Sequence, residues 1–119
     1  MLFRSGVGTA RAELSACGYG ENKAIFAFGV TSGGSVSNIT NLVSNTGVVA
    51  TDNSGIGSGR VQAAAASYGG NKAIFGYGSD SYSTYYTLTN LVSDIGVIAS
   101  DTTGVGTARS GLAGASYGP

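Results

Sequence analysis

The strongest constraint in this sequence is an internal repeat with a period of 49 residues and no gaps. Residues 6–54 align with residues 55–103 at 22 identical positions. A third, partial copy begins at Gly104, so the opening segment of the repeat occurs three times and every other segment twice. We therefore divide the chain into an extension (1–5), unit 1 (6–54), unit 2 (55–103) and a third copy (104–119). Each unit is expected to bury its apolar surface against a neighbouring unit.

Short extended runs between glycines predict an all-β unit. In unit 1 the runs cover residues 9–16, 23–28, 36–43 and 48–51, with turns rich in Gly and Asn between them. The Ala-rich run at 61–67 favours a helix by propensity alone. Its counterparts in the other copies contain Gly and Ser, which instead predict a strand that lies close to a neighbouring backbone. We therefore expect four strands in each unit.

Composition argues against several kinds of functional site. The chain has no His and a single Cys, which excludes a His or Cys metal cage, a Ser-His-Asp triad and a disulfide within the chain. Six basic and six acidic residues give a net charge of zero, unlike the basic patch of a nucleic-acid-binding protein. The longest apolar stretches are far shorter than the roughly 18 residues that a membrane-spanning helix needs. We expect no cofactor, no metal, no nucleic acid and no membrane partner.

The acidic residues give no support to an enzyme. A hydrolase would use carboxylates such as Glu13, Asp80 or Asp94, but these three are not repeated in kind between the units. Paired carboxylates at a catalytic separation cannot be inferred from them. We therefore expect a protein that is not an enzyme.

Four strands in about 49 residues match the size of a β-propeller blade. The order of Arg, Ala-rich strand, Tyr-Gly, apolar strand and Gly-x-Gly in residues 60–78 resembles a kelch-type repeat. The blocks Tyr-Gly-Gly-Asn-Lys-Ala-Ile-Phe-Gly-Tyr-Gly, Thr-Asn-Leu-Val-Ser and Gly-Val-Gly-Thr-Ala-Arg are similar to tandem repeats of tail- or fibre-type proteins encoded by phages and environmental viral genomes. This resemblance covers nearly all of the chain from Gly6 onward. It implies a structural or receptor-binding β-propeller, located on a virion or outside the cell.

Two blades are too few for a ring, because propellers close with about four to eight. Each blade has two apolar faces, so two blades leave two faces bare, and we expect the chain to associate with itself. Three chains would give a six-bladed trimer. In such a ring the third copy of one chain and the opening segment of the next would occupy the same strand position of a blade. A filament joined by the spare strand is therefore the alternative assembly.

Charged residues recur at equivalent positions of the copies. Besides Lys23 and Lys72, they are Arg11, Arg60, Arg109, Asp52 and Asp101. Each Asp precedes the next Arg by eight residues across a Gly-x-Gly turn, which favours an ion pair or backbone hydrogen bonds between one blade and the next. We interpret the five as structural residues between blades, with capture of a ligand at a central channel as the alternative.

Two groups of residues are candidate ligand-binding sites. A Tyr, Asn and Lys set follows the first strand of each unit and suits a sugar bound once per unit, with turn chemistry and packing as the alternative. Its members are Tyr19, Asn22, Lys23, Tyr68, Asn71 and Lys72. The region where the units differ most contains Tyr82, Tyr85 and Tyr86 among Ser and Thr, a composition typical of a recognition loop; drift in an exposed loop is the alternative. These residues suggest a glycan or a host surface receptor as partner, and a multivalent lectin as the alternative function.

Overall fold

The protein is all-β over the residues that the computed structural model describes, 7–80 and 83–117. These residues form two antiparallel sheets of three strands and contain no helix. The strands are β1 (Ser15–Tyr19), β2 (Lys23–Ala27), β3 (Thr40–Val43), β4 (Ala64–Tyr68), β5 (Lys72–Gly76) and β6 (Thr89–Val92). The all-β prediction is confirmed. The Ala-rich run forms a strand, β4, because its backbone pairs with β5 along five residues.

The two sheets repeat one another with a displacement of 49 residues. In unit 1 the order is β1-β2-β3 and in unit 2 it is β4-β5-β6, with the second strand of the unit in the centre. Tyr19 pairs with Lys23 at the end of the first hairpin, and Tyr68 pairs with Lys72 at the end of the second. The two units therefore share the same strand register as well as much of their sequence.

The predicted fourth strand of each unit is present only as isolated bridges. In unit 1, Val49 bridges to Val43 and Asn53 bridges to Thr40, next to β3. Between these two bridges, the carbonyl oxygen of Ala50 accepts a hydrogen bond from the side chain of Asn41 at 3.3 Å. Unit 2 repeats the arrangement beside β6. Each unit is therefore a three-stranded sheet with an irregular outer segment.

Residues with a left-handed backbone interrupt the pairing of the first two strands, and the first strand is displaced from its predicted place. Strand β1 covers 15–19, whereas the prediction was 9–16 with a turn that included Tyr19. Strand β2 ends at Ala27 because Phe28 takes the left-handed backbone conformation, with φ of 67°. Its counterpart Tyr77 does the same, with φ of 64°. On the opposite strand Glu13 is also left-handed, so β1 begins at Ser15. Pairing resumes in the same register between Ala12 and Val30. The interruption places the ring of Phe28 against Phe75 of unit 2.

The two sheets stack, with β1 against β4 and β5. The rings of Phe28 and Phe75 meet edge to face at the centre of the interface, with their centroids 5.4 Å apart. Ser67 Oγ donates to the carbonyl oxygen of Gly18 at 2.8 Å and joins the first strands of the two units. The core consists of Tyr19, Ile25, Ala27, Phe28, Ala73, Phe75, Val92 and Ile98. The hydrophobic core therefore lies between the units.

The third copy lies beside the first strand of unit 2. The amide of Gly111 donates to the carbonyl oxygen of Gln62 at 2.9 Å, and the amide of Gly78 donates to the carbonyl oxygen of Arg109 at 2.8 Å. The described part of this copy, residues 104–117, contains no assigned strand. It follows the sheet without forming a ladder of its own.

Candidate functional site: the repeated arginine and the open sheet faces

The side chain of Arg60 is completely buried at the boundary between the units. Its Nη1 donates to the carbonyl oxygens of Leu88 at 3.0 Å and Tyr77 at 3.4 Å, and its Nη2 donates to Asn90 Oδ1. Its guanidinium carbon lies 4.4 Å from the centre of the Phe28 ring, a favourable distance for a cation and an aromatic face. Burial lowers the pKa of Arg60, and the nearby carboxylate of Asp101 opposes that effect.

Asn90 connects this arginine to Asp101. Its side-chain amide donates to Asp101 Oδ1 at 2.8 Å, while its oxygen accepts from Arg60. Asp101 also accepts from the amide of Ser58 at 3.1 Å and from its hydroxyl at 2.9 Å. Partial burial raises the pKa of Asp101, but the hydrogen bonds from Asn90 and Ser58 and the charge of Arg60 outweigh burial, so its pKa is lowered. The Arg, Asn and Asp side chains thus form a relay across the sheet.

Unit 1 contains the same relay in a more exposed position. Arg11 donates to the carbonyl oxygen of Ile39 at 2.7 Å and to Asn41 Oδ1, and Asn41 donates to Asp52 Oδ1 at 2.9 Å. Asp52 accepts from the amide of Thr9 at 3.0 Å and from its hydroxyl at 2.7 Å. The hydrogen bonds from Asn41 and Thr9 lower the pKa of Asp52. Arg11 is more exposed than Arg60, which is covered by the Phe28 ring from the other unit.

The relay differs from the pairing that the sequence spacing suggested. Asp52 is connected through Asn41 to Arg11 of its own unit, and was expected to reach the Arg eight residues ahead. Arg60 and Arg109 do join one copy of the repeat to the one before it, but by stacking on an aromatic ring and through their carbonyl oxygens. The carbonyl oxygen of Arg60 accepts from the amide of Gly29 at 2.8 Å, and Arg109 lies 4.7 Å from the centre of the Tyr77 ring.

The sequence reasoning overlooked the two asparagines of the relay. Asn41 and Asn90 occur in the repeated block Thr-Asn-Leu-Val-Ser, and that repetition was the available signal. A polar residue kept at one place within an apolar strand needs a buried partner. Both asparagines are buried and have one.

Each unit has two apolar faces. At equivalent positions of the two units, one residue is buried and its counterpart is more exposed. Residues on the unit 2 side of the first sheet are buried or packed against the core, while their unit 2 counterparts are more exposed. The buried and exposed members of these pairs are Ile25 and Ile74, Leu42 and Leu91, Tyr19 and Tyr68. On the opposite side the order reverses, because Phe26 is 38% exposed and Phe75 is fully buried.

We call the outer side of unit 1 open face 1 and the outer side of unit 2 open face 2. Open face 1 contains Ala16, Ala24, Phe26 and Val43, and open face 2 contains Ala64, Ala66, Tyr68, Ile74 and Leu91. The inner faces that already pack together carry the counterparts of these residues. The two open faces are therefore complementary to one another by repetition.

No known protein family matches this chain, and no curated protein is significantly similar to it.

The Tyr, Asn and Lys sets lie together at the hairpin ends of the two first strands. The amide of Gly20 donates to the carbonyl oxygen of Asn71 at 2.6 Å, which brings the two hairpin turns into contact. Lys23 Nζ lies 3.4 Å from Asn22 Oδ1, and Lys72 Nζ lies 3.3 Å from Asn71 Oδ1. Both lysines are exposed. Tyr19, however, is only 4% exposed, so its ring offers little surface for stacking on a sugar.

The predicted recognition loop is described in part. Tyr82 lies outside the described residues. Tyr85 is 53% exposed, and Tyr86 is half-buried. The loop closes at Asp80, whose carboxylate accepts from the amide of Thr84 at 2.9 Å, and this hydrogen bond lowers the pKa of Asp80. The exposed Tyr85 borders a shallow depression beside Arg109.

The remaining chemistry of the described residues is limited. Burial raises the pKa of the Cys17 thiol to about 11, so the thiol is protonated at neutral pH and is a poor nucleophile. Over residues 7–80 and 83–117, His, Cys, Asp and Glu form no group of three or more that would hold a metal ion. The same residues contain no helix of the length and hydropathy that crossing a membrane requires.

Proposed function

We propose that this chain is a non-enzymatic structural protein of the kind that viruses and phages use as scaffold or receptor-binding components. Its units form a β-propeller that is completed by further copies of the chain. The observation that supports this proposal is the difference in burial between equivalent residues of the two units. Ile25 is fully buried where unit 2 covers it, and Ile74 is only half-buried on open face 2.

The two open faces favour association of copies in one direction. Open face 2 of one copy fits open face 1 of the next, since the equivalent faces already pack together within the chain. Ile25 and Phe75, the counterparts of Ile74 and Phe26, lie in that shared core. Removing exposed side chains such as Phe26 and Leu91 from water stabilises the joint by about 25 cal/mol for each Å² of apolar surface. Such a head-to-tail joint closes into a ring when its rotation permits, and otherwise extends as a filament.

A six-bladed ring of three chains is the assembly that we propose. Two units per chain multiply to four, six or eight blades, within the range of closed propellers. Three chains place six units around one axis. In a closed ring the first strands of all units are neighbours, as β1 and β4 are within this chain.

The second part of the proposed function is recognition of a receptor at the rim of the ring. The side chain of Tyr85 supports it, because it is exposed in the loop where the two units differ most. Rigid tyrosine rings supply contact area at a small cost in entropy. The closed propeller presents this loop once per chain, and several weak sites for a glycan or a protein receptor then bind with avidity.

Native mass spectrometry of the purified 119-residue chain tests the assembly. A dominant trimer at micromolar concentration is the expected result. A ladder of multiples without a preferred size would support the filament instead of the ring. A chain that stays monomeric at tens of micromolar would contradict the proposal. Glycan-array binding by the assembled protein separates a lectin from a scaffold, because only a lectin binds defined sugars saturably.

A further inference from the structure

The third copy occupies the position of the first strand of a third unit. Its hydrogen bond from Gly111 to Gln62 repeats the one from Gln62 to the carbonyl oxygen of Glu13, 49 residues earlier. Likewise, the carbonyl oxygen of Arg109 accepts from Gly78 as that of Arg60 accepts from Gly29. The third copy thus meets unit 2 as unit 2 meets unit 1.

The third copy covers open face 2 only in part. An apolar cleft of about 170 Å³ lies there, lined by Ile74 and Thr89 of unit 2 and by Leu112 of the third copy. Ile25 of unit 1 is the counterpart of Ile74, and it is fully buried in the core that it shares with Ala73 and Phe75 of β5, the second strand of unit 2. The cleft therefore has the position and the apolar character of a site for a second strand like β2.

The amino half of the third copy is a duplicate of the amino end of unit 1. Residues 104–109 are identical to residues 6–11, whereas residues 55–60 differ from both at three of the six positions. Thr107 and Arg109 correspond to Thr9 and Arg11, which bind Asp52 and Asn41.

The third copy also repeats local geometry of the segment that it duplicates. Gly106 and its counterpart Gly8 are both left-handed, with φ of 97° and 83°. Arg109 Nε donates to the carbonyl oxygen of Thr107 at 3.0 Å, as Arg11 Nε donates to that of Thr9 at 3.2 Å. It therefore needs little rearrangement to make the Asn41 and Asp52 contacts of a second copy, which lowers the cost of binding.

We propose that copies of this chain join by strand exchange, in which residues 104–117 of one copy replace residues 6–19 of the next. Thr107 and Arg109 then bind Asp52 and Asn41 of the next copy, and residues 113–117 pair with its β2 as Ser15–Tyr19 do within the chain. With this exchange, the third copy of one chain and the opening segment of the next no longer compete for the same strand position. It rests on the proposed function, since it specifies how the assembling copies are joined.

Disulfide trapping tests the exchange. Tyr19 pairs with Lys23 within the chain, and Tyr117 is the counterpart of Tyr19. In a Cys17→Ala background, a variant with Lys23→Cys and Tyr117→Cys should form disulfide-linked multiples of the chain under mild oxidation. Both replaced side chains are exposed, so the substitutions spare the core. The matched control carries Lys72→Cys with Tyr117→Cys and should form no such multiples.

The outcomes separate this proposal from the proposed function. Linked multiples in the test variant alone support strand exchange. An assembly that forms without the link overturns the exchange and leaves the propeller proposal standing. A chain that does not assemble overturns both.

Two alanine variants provide a second measurement that does not need new thiols. With exchange, Arg109→Ala weakens association at least tenfold because it removes the contacts to Asn41, while Arg11→Ala leaves association equal or stronger. The reverse order of these two effects would mean that residues 6–19 stay in place and residues 104–117 leave, which would overturn the proposal.

Discussion

The guanidinium of Arg60 covers the ring of Phe28 across the boundary between the two units, at 4.4 Å from the ring centre. This contact depends on the backbone conformation at Phe28 and on the hydrogen bonds of Arg60. Phe28 has a left-handed backbone at the end of β2, and Arg60 is held over its ring by Asn90 and by two carbonyl oxygens. The charge is thereby buried within the interface that holds the units together.

Replacement of Arg60 by alanine should destabilise the chain far more than replacement of Arg11. Arg60→Ala leaves the buried side-chain oxygen of Asn90 without its donor, whereas the carbonyl oxygen of Leu88 keeps its hydrogen bond from the amide of Tyr77. The unpaired oxygen and the lost packing on Phe28 together cost roughly 3 kcal/mol. Arg11 makes equivalent bonds in a more exposed place, so Arg11→Ala should cost about 1 kcal/mol. Urea unfolding followed by circular dichroism measures both values. Equal losses would contradict a special role for the buried position.

Acid should weaken the fold through the relay aspartates. The folded-state pKa values of Asp52 and Asp101 are lowered from their ordinary value of 3.8. Their contribution to the free energy of unfolding is therefore complete above about pH 5 and is lost as the pH falls below about 4. Urea unfolding at pH 6 and pH 3 should reveal this loss.

Asp101→Asn is the informative variant for this pH dependence. It should be less stable than the parent at pH 6 and should lose less stability between pH 6 and pH 3. Asp94→Asn, an exposed carboxylate in a turn outside the relay, serves as the control and should keep the parent slope. An unchanged slope in Asp101→Asn would rule out the relay as the source of acid sensitivity.

The first hairpin turn can be stabilised by the residue that unit 2 has at the equivalent position. Glu21 is left-handed, with φ of 73°, where unit 2 has Gly70 with φ of 80°. A side chain in this conformation costs about 1–2 kcal/mol, partly offset because glycine gains freedom in the unfolded chain. Glu21→Gly should therefore raise the free energy of unfolding by roughly 0.5–1 kcal/mol. Thermal and urea unfolding measure it.

The reciprocal substitution isolates the backbone effect. Gly70→Glu should lower stability by a similar amount, because a Cβ at Gly70 meets no atom within 4 Å and only its conformation is unfavourable. If both substitutions move stability in the same direction, backbone strain is not the cause.

A charge on either open face should prevent association without unfolding the chain. Phe26→Asp places a carboxylate on open face 1, and Leu91→Asp places one on open face 2. Both positions are already partly in water, so each variant should remain folded while its joint loses apolar burial. Sedimentation velocity should give smaller species for both. Ile95→Asp, at an exposed turn, is the control and should assemble as the parent does.

Cys17 should react slowly with thiol reagents while the chain is folded. Burial raises its pKa from 9.0 to about 11, which lowers the population of the reactive thiolate about a hundredfold. Labelling at pH 8 with a chromogenic disulfide should therefore be at least tenfold slower than in urea. Equal rates would mean that β1 opens readily.

The sequence predicted the repeat, the all-β class and the approximate places of β2 and β3, because glycine spacing and β-branched residues act locally. It did not predict where strands stop. Phe28 is aromatic and favours a strand by propensity, yet it leaves the ladder because burial between Arg60 and Phe75 compensates a strained backbone. Nor did spacing identify the partner of Asp52, since Asn41 lies 11 residues away along the chain and meets it only across the sheet.

By itself, the sequence determined that the chain consists of 49-residue units with apolar residues on two sides. Only the tertiary structure decided which copy of each residue is buried. Ile25 and Ile74 have the same chemistry and the same neighbours in sequence, but stacking covers one and leaves the other at the surface. Burial depends on what lies across the sheet, and a repeating sequence cannot encode that difference locally.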